Sequence, residues 1–313
     1  MSLPWIAPID DPALVPQVAR YTASLAVLPA RQRRAGKRLL VNISTTNWFV
    51  EWNLPRWLGR TLALSPHDTD ELVLGNVFGL AYVRLQDNLF DGDQAGGMEE
   101  ATALASSLYR HWIGQYRLLF ASSSPFWEYL DRFCGQWLRA SLEMGGPNGD
   151  ELRSGSAEPV LRLAERGAPL KICCAAAYLL AGREAVDPGL LAGISYLLSG
   201  AVLIDHADDW QADLIAGRYN ALAAFVSPGA GDVQADRQAI LEELYLGSAE
   251  RSYFELAQHQ FRRARDYVHG LGVDELEDYL TRAEAETAAY SDKLADMKKF
   301  QLQKATAELL RSI

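Results

Sequence analysis

The stretch "LLAGISYLLSGAVLIDHADDWQADLIAGRYN", residues 190–220, joins an apolar segment directly to an acidic one. Residues 190–204 are apolar on nearly every side of a helix, which is typical of a helix at the centre of a bundle. Four aspartates then follow within nine residues, from Asp205 to Asp213. Acidic runs usually lie on solvated surfaces, so a run that directly follows a core helix predicts a specific role for its carboxylates.

The spacing of these aspartates places most of them on one side of a helix. Asp205, Asp209 and Asp213 stand four residues apart, and such a stripe drifts by only about 40° per step. Asp208 flanks the stripe. A second cluster, "YVRLQDNLFDGD" at residues 82–93, also ends an apolar helical segment. Its Asp87 and Asp91 are four apart and leave one helix face.

Both clusters carry an electrostatic penalty that a cation would offset. Like charges one helical turn apart repel each other. Negative charge at a helix C-terminus also opposes the macrodipole. Mg²⁺ prefers carboxylate oxygens and keeps coordination positions for water and phosphate. Two facing clusters could therefore hold Mg²⁺ ions with a diphosphate between them; the alternative is a pair of solvated helix ends.

Helical periodicity dominates the rest of the chain, whereas alternating strand patterns are not seen. The sequence predicts an all-α fold of roughly ten helices in a single domain over residues 1–313, because no loop resembles a domain linker. The segments with the helical pattern are Glu71–Phe90, Met98–Phe120, Phe126–Met144, Pro159–Ala181, Pro188–Ala216, Arg237–Val268 and Val273–Leu310.

Composition excludes some classes of protein. The net charge of −10 argues against a nucleic-acid partner, since phosphate binding needs clustered Lys and Arg. The three cysteines form no disulfide or zinc pattern, which favours a reduced, cytoplasmic protein. The N-terminal residues do not resemble a secretory signal. The apolar run 172–182 is about half the length of a bilayer span, so no stable membrane insertion is expected.

Residues preceding Asp87 on the same helix face predict an apolar cavity below the metals. Val83, Gly79 and Gly75 share that face, and the glycines would leave room for a long hydrocarbon. Close packing of two helices explains the glycines equally well. Aromatic side chains beside such a cavity could stabilise a carbocation. The predicted cavity-lining residues are Phe78, Gly79, Tyr82, Val83, Ala175 and Tyr178.

The two acidic clusters and the sequence elements around them resemble motifs of the class I isoprenoid synthase superfamily, which includes terpene cyclases and trans-prenyl diphosphate synthases. "LQDNLFD" is similar to the first aspartate-rich motif, with Asn88 where Asp is usual. "DHADDWQAD" is similar to the second metal motif in two registers, one using Asp205, Asp209 and Asp213, the other using Asp208 and Asp209. "GRYN", "APLKICCAAAYLLAG" (168–182) and "AGKRLL" (35–40) resemble elements that bind diphosphate. The matches span residues 35–220.

The resemblance implies an α-helical bundle of the isoprenoid synthase type with a central active-site cavity. It also implies three Mg²⁺ ions, or Mn²⁺ in their place, and a linear isoprenyl diphosphate of C15–C25 as substrate. A homodimer is compatible with it. The implied metal ligands are Asp87, Asn88, Asp91, Asp205, Asp208, Asp209 and Asp213, with Asp87, Asp91 and Asp209 as catalytic residues. The implied diphosphate ligands are Lys171, Arg218, Lys37 and Arg38.

Two departures from the family patterns direct the choice of activity. The stretch after the first motif lacks the paired arginines that chain-elongating synthases use, since Arg110 is the next arginine. The Arg-Tyr pair that many bacterial cyclases carry well after the second motif is also missing. The leading expectation is a terpene synthase that ionises one prenyl diphosphate and cyclises the cation. The alternatives are a prenyltransferase and an inactive diphosphate-binding paralogue.

Overall fold

A computed structural model describes residues 7–45, 48–90, 97–142, 145–226, 240–244 and 247–312. These residues are helical or irregular and contain no strand, which confirms the all-α prediction. The α-helices are α1 (Val15–Ser24), α2 (Ala30–Ile43), α3 (Phe49–Thr61), α4 (Pro66–Phe90), α5 (Met98–Leu119), α6 (Phe126–Leu142), α7 (Gly149–Arg153), α8 (Glu158–Ala164), α9 (Leu170–Leu180), α10 (Pro188–Ile215), α11 (Ala221–Val226), α12 (Ala249–Val268) and α13 (Asp274–Ser312).

The chain divides into two compact units that are discontinuous in sequence. Unit 1 comprises residues 1–142 and 166–191, and unit 2 comprises residues 143–165 and 192–313. The predicted single domain over 1–313 stays a prediction. Asp87 and Lys171 belong to unit 1, whereas the aspartates of α10 and Arg218 belong to unit 2.

In unit 1, two glycines bring α4 close to α5. A Cβ on Gly75 would lie 3.2 Å from the Tyr116 ring, and a Cβ on Gly79 would overlap the Trp112 indole. Both aromatic side chains are buried. Because each ring occupies the place of a missing side chain, the two helices pack at close range through ring-to-backbone contacts.

A proline within α3 is compensated by a side chain of α4. Pro55 has no backbone N–H for the carbonyl of Glu51, four residues earlier. The buried Asn76 side chain donates a hydrogen bond to that carbonyl instead. The contact therefore satisfies the acceptor that Pro55 leaves open and joins α3 to α4.

A carboxylate buried near the start of α4 is held by an arginine of α1. Both Glu71 oxygens accept hydrogen bonds from Arg20, at 2.6 and 2.8 Å, and Gln115 of α5 also donates to Glu71. The Arg20 contact lowers the pKa of Glu71 below its ordinary value, against the effect of burial. This charge pair ties three helices together at that end of α4.

In unit 2, two glycines of α10 allow it to pack closely on α12, as two glycines of α4 do with α5. A Cβ on Gly200 would lie 2.7 Å from the Phe261 ring, and one on Gly193 would lie 2.5 Å from Val268. The Tyr253 hydroxyl donates to the Leu203 carbonyl at 2.8 Å. Leu203 and Tyr253 belong to a core that also contains residues of α7, α8 and α11.

Two predicted helices are interrupted. Pro159–Ala181 was predicted as one helix, but α8 ends at Ala164, a 3₁₀ turn covers Glu165–Gly167, and α9 begins at Leu170. The Gly167–Ala168–Pro169 sequence explains the break, because proline cannot continue the hydrogen-bond pattern of a preceding helix. The predicted Arg237–Val268 helix is helical at residues 240–244 and 249–268 but not at 247–248, and residues 237–239 and 245–246 lie outside the described part of the chain.

By length and composition alone, α10 could cross a membrane, and it is the one helix in the described ranges that meets this test. This helix is longer than the apolar run at 172–182. The core helix of a soluble protein meets the same test, and α10 buries Leu197 and Leu203 inside unit 2. The finding is weak support for a membrane span.

We predict that Asn76→Ala lowers the free energy of unfolding by about 1–3 kcal/mol, since it leaves the Glu51 carbonyl without its donor. Pro55→Ala restores a backbone N–H at that position, so Asn76→Ala should cost about 1 kcal/mol less in the Pro55→Ala background. Urea unfolding of the four proteins measures the difference, with the exposed Asn42→Ala as control. An equal cost in both backgrounds would contradict the assignment.

We also predict that the Arg20–Glu71 pair makes stability depend on acid pH. The folded pKa of Glu71 is lowered from 4.5, so its contribution is complete above that pH and is lost as the pH falls through the folded value. Glu71→Gln should therefore lower the thermal unfolding midpoint at pH 7, and its deficit should narrow below pH 4.5. The exposed Glu128→Gln serves as control. A deficit that is independent of pH would exclude this role.

Candidate functional site

The acidic end of α4 lies against α6. α4 is buried along most of its length up to Val83, and Asp87 follows one turn later, half-buried. Its Oδ1 accepts a hydrogen bond from Trp137 Nε1 at 3.0 Å and a longer one from Ser141 Oγ at 3.4 Å. These donors hold the Asp87 carboxylate in a defined orientation. Asn88 is also half-buried, whereas Asp91 lies outside the described residues.

Lys171 reaches the same face of α6 from the first turn of α9. It is only 9% exposed, and its Nζ lies 5.9 Å from the centroid of the Phe133 ring. Phe133, Trp137 and Ser141 are each four residues apart on α6, so they form one stripe. A buried ammonium at a helix N-terminus is disfavoured by desolvation and by the macrodipole. In unit 1, Lys171 and the Asp87 carboxylate both lie against this stripe of α6 side chains.

An aromatic cluster adjoins this stripe. The Tyr82 ring centroid lies 5.4 Å from that of Tyr109, 5.7 Å from that of Trp112 and 6.2 Å from that of Trp137. Phe90 extends the cluster, with its ring 6.3 Å from Trp137. Burial raises the pKa of Tyr82, with smaller contributions from Tyr109 and Cys134. The rings of this cluster therefore adjoin Trp137, the side chain that donates to Asp87.

Two of the other predicted cavity residues, Gly79 and Phe78, lie in packed surroundings. The space beside Gly79 is filled by Trp112, so this glycine serves helix packing and not an open groove. Phe78 is buried between Tyr21 and His111, with ring centroids 5.3 and 5.1 Å away. This stacking places Phe78 in the core of unit 1.

The remaining members of the predicted lining differ in exposure. Val83 and Ala175 are buried, as a hydrocarbon-binding wall or an ordinary core would require. Tyr178 is half-buried, and its pKa is raised by burial and by the nearby charge of Asp187. Tyr82 belongs to the aromatic cluster beside Asp87, and Gly79 contacts Trp112 of that cluster.

Sequence reasoning missed the side chains of α6 that position Asp87. Trp137 and Ser141 lie 50 and 54 residues away in the chain. A signal was present, since Phe133, Trp137 and Ser141 repeat every four residues on an amphipathic helix. Periodicity alone does not reveal which partner such a stripe contacts.

In unit 2, the aspartates of α10 separate into two groups. Asp205, Asp208 and Asp209 are exposed, whereas Asp213 is only 8% exposed. Eight residues along a helix correspond to a rotation of about 80°, which turns Asp213 away from Asp205. The exposed three have the carboxylate chemistry that a hard divalent cation requires.

Asp213 is held by the residues that follow the helix. Its Oδ1 accepts from Arg218 Nε at 3.0 Å, and its Oδ2 accepts from Asn220 Nδ2 at 2.8 Å. Both oxygens thus have protein donors, and a structural role explains the burial of this carboxylate. For the register Asp205, Asp209 and Asp213, this means that the third residue is already bound to Arg218.

The "GRYN" sequence ends α10 and starts α11. Gly217 has a φ of +68°, and the Gly217 and Arg218 amides donate to the carbonyls of Leu214 and Asp213 at 3.1 and 2.8 Å. This pattern is a Schellman motif, in which glycine is favoured at the left-handed position. Asn220 then caps α11 by accepting from the amides of Leu222 and Ala223. Helix capping therefore accounts for most of this motif.

The cations predicted to bind diphosphate occupy different environments. Lys171 is buried in unit 1, and Arg218 is partly buried in a pair with Asp213 in unit 2. Lys37 and Arg38 are exposed on α2. Lys171 is the one of these four for which surrounding protein would strengthen an interaction with an anion.

The described residues contain no preformed group of three or more His, Cys, Asp or Glu side chains able to hold a metal ion. Mg²⁺ commonly binds proteins through only one or two carboxylates, with water and phosphate completing its shell. Asp87 in unit 1, and Asp205 with Asp209 one turn apart in unit 2, fit that donor chemistry. The predicted ligand Asp91 lies outside the described ranges.

Comparison with known proteins does not identify the class of this protein. No family model matches the chain, and no curated protein is significantly similar to it.

We predict that two aspartates of α10, one helical turn apart, contribute unequally to stability. Asp213→Ala should lower the free energy of unfolding by about 2 kcal/mol, because hydrogen bonds to a charged group are lost and Arg218 loses its partner. Asp209→Ala, at an exposed position, should change it by less than about 0.5 kcal/mol. Thermal and urea unfolding without added metal measure both. Equal destabilisation by the two substitutions would contradict the division of roles.

Proposed function

We propose that the protein is a class I terpene synthase, which ionises a linear isoprenyl diphosphate of C15–C25 and cyclises the resulting cation to a hydrocarbon or an alcohol. The proposal includes an isoprenoid-synthase-type bundle with a central cavity. The observation that carries it is the placement of Asp87 and Lys171 on one stripe of α6, next to the cluster of Tyr82, Trp112 and Trp137.

Ionisation breaks the carbon–oxygen bond and leaves an allylic cation and inorganic diphosphate. Mg²⁺, when bound, would act as a Lewis acid on the diphosphate oxygens, with Asp87, Asn88 and Asp91 of the first motif and Asp205, Asp208 and Asp209 of the second as its proposed ligands. Asp213 remains a ligand in the alternative register. Trp137 would keep the Asp87 carboxylate oriented while the anion binds.

The protein's own groups divide the remaining work. The Lys171 ammonium would donate a charge-assisted hydrogen bond to a diphosphate oxygen, where the developing negative charge strengthens it. The faces of Tyr82, Trp112 and Trp137 would stabilise the carbocation by cation–π attraction. The cation then loses a proton to give a hydrocarbon, or is captured by water to give an alcohol.

The departures from elongating synthases support a cyclase over a prenyltransferase, because no paired arginines follow the first motif. The two differ in co-substrate demand. A cyclase consumes one prenyl diphosphate with no acceptor, whereas a prenyltransferase needs a second prenyl diphosphate or another acceptor. An inactive paralogue would bind diphosphate without turnover.

We predict product formation when the purified protein is incubated with Mg²⁺ and C10, C15, C20 or C25 diphosphate singly, with the C15–C25 substrates preferred. Extraction with mass spectrometry identifies the product, and phosphate analysis measures diphosphate release. Lys171→Met should lower kcat/KM roughly 100-fold, as loss of a preorganised donor does, and Lys171→Arg should lower it less. Asp87→Ala and Asp209→Ala should abolish turnover.

The exposed Asp131→Ala, on α6, is the matched control and should retain activity. Turnover in EDTA, or full activity of Asp87→Ala, would exclude the mechanism. Product formed only when a second prenyl diphosphate is present would indicate the prenyltransferase. Diphosphate binding without turnover of any chain length would indicate the inactive paralogue.

A further inference from the structure

Helix α2 carries a concentrated positive charge in a chain whose net charge is −10. Five of its 14 residues are cationic and none is acidic. Arg31 pairs with the buried Glu100, and Arg33 donates to the Ala26 carbonyl at 3.3 Å. The cationic residues are Arg31, Arg33, Arg34, Lys37 and Arg38, and all five are exposed.

This concentration of positive charge destabilises α2, so helix stability does not explain why the cations are there. Arg31, Arg33 and Arg34 lie in the first two turns of α2, where the macrodipole favours anions. The N-cap residue, Pro29, contributes no side-chain hydrogen bond. An external anionic surface would offset the repulsion among these side chains.

Exposed apolar side chains flank the cations. Val41 is 57% exposed and follows Arg34, Lys37 and Arg38 at helical spacings of seven, four and three residues, so the four share one face. Val27, just before α2, is 80% exposed. Residues 33, 34, 37, 38 and 41 lie on one side of α2, and the exposed Val27 follows Ala26, whose carbonyl accepts from Arg33. We call these six residues the α2 face.

The opposite side of α2 fixes the position of the α2 face. Gly36 is buried, and a Cβ there would lie 2.7 Å from Leu25 and 3.3 Å from Leu104 of α5. Gly79 faces Trp112 and Tyr82 faces Tyr109, so α4 and α5 are antiparallel, and Leu104 lies level with about residue 87. The α2 face is therefore at the same end of unit 1 as Asp87.

We propose that the α2 face is a peripheral docking surface for an anionic lipid bilayer. Cations attract acidic headgroups, and apolar residues at the ends of the row enter the interface, which is the pattern of helices that lie on membranes. The benefit of docking, but not the docking itself, rests on the proposed function. An isoprenyl diphosphate is an amphiphile and its product is a hydrocarbon, so both partition into bilayers.

The test is co-sedimentation of the full chain with vesicles, without substrate or Mg²⁺. We expect binding to phosphatidylcholine vesicles that contain about 30% phosphatidylserine, little binding to pure phosphatidylcholine, and release at high salt. Arg33→Glu combined with Arg34→Glu should weaken binding roughly 30-fold or more, since each cation adds to the attraction. Val27→Ser with Val41→Ser should weaken it less.

The matched control is Arg60→Glu combined with Arg117→Glu, which reverses two exposed charges of unit 1 outside the α2 face and should leave vesicle binding nearly unchanged. Circular dichroism and thermal unfolding verify that each variant is folded. Equal binding of the Arg33/Arg34 variant and the parent protein would overturn the proposal, as would equal binding to neutral and anionic vesicles.

A soluble anion is separated from a bilayer by titrating inorganic diphosphate in a calorimeter. If Arg33→Glu/Arg34→Glu abolishes diphosphate binding while the parent protein ignores anionic vesicles, the α2 face is a diphosphate site and the proposal is wrong. Failure of the proposed function has a different signature. A protein that binds anionic vesicles but turns over no prenyl diphosphate retains the docking surface, whereas an active enzyme that ignores vesicles does not have it.

Discussion

The close contact between α4 and α5 sets the arrangement of unit 1. Gly75 and Gly79 leave no side chain where Tyr116 and Trp112 insert, and any larger residue at Gly79 would overlap the indole. This fit fixes the antiparallel register of the two helices. The register in turn places Tyr82 against Tyr109 and Trp112, and puts the α2 contact with Leu104 near the level of Asp87. Packing, and not charge, therefore decides where the charged groups of this unit meet.

Carboxylates in the described residues occupy two kinds of environment. Two buried carboxylates have protein donors: Glu71 has Arg20, and Asp213 has Arg218 and Asn220. Burial without such donors would cost several kcal/mol, on the order of the penalty for an unpaired charge. The aspartates of α10 that stay exposed incur no such penalty. Burial thus separates the carboxylates that support the fold from those that have solvent access for a cation.

The sequence predicted the long helices well because their signal is local. Apolar periodicity gave the start of α5 at Met98 and the start of α10 at Pro188, as the structure has them. Interruptions were harder to predict, since the break between α8 and α9 depends on one Gly-Ala-Pro sequence inside an otherwise helical pattern. The roles of Gly79 and Asp213 could not be read from local sequence in the same way. A glycine can leave space or admit a neighbour, and the neighbour here, Trp112, comes from another helix.

The candidate site also combines residues that local sequence predicts with residues that come from distant parts of the chain. Asp87 was selected from its position at the end of an apolar helix, whereas Trp137, which orients its carboxylate, is 50 residues away. Gly217 belongs to the predicted diphosphate element "GRYN", and a glycine after the last helical residue is also the usual signal for a helix cap. Motif and cap use the same residues, so the sequence alone does not assign Arg218 to either role.

The four cations predicted to bind diphosphate are therefore not equally suited to that role. Lys37 and Arg38 are exposed, and interactions between exposed charges are screened over roughly 10 Å at ordinary salt. Arg218 would have to share or leave Asp213, so part of any gain would be offset by the loss of that pair. Lys171 is buried beside an aromatic ring, where a charge interaction is strongest and where water competes least. Among the four, Lys171 is the residue whose surroundings would most strengthen an interaction with the proposed diphosphate.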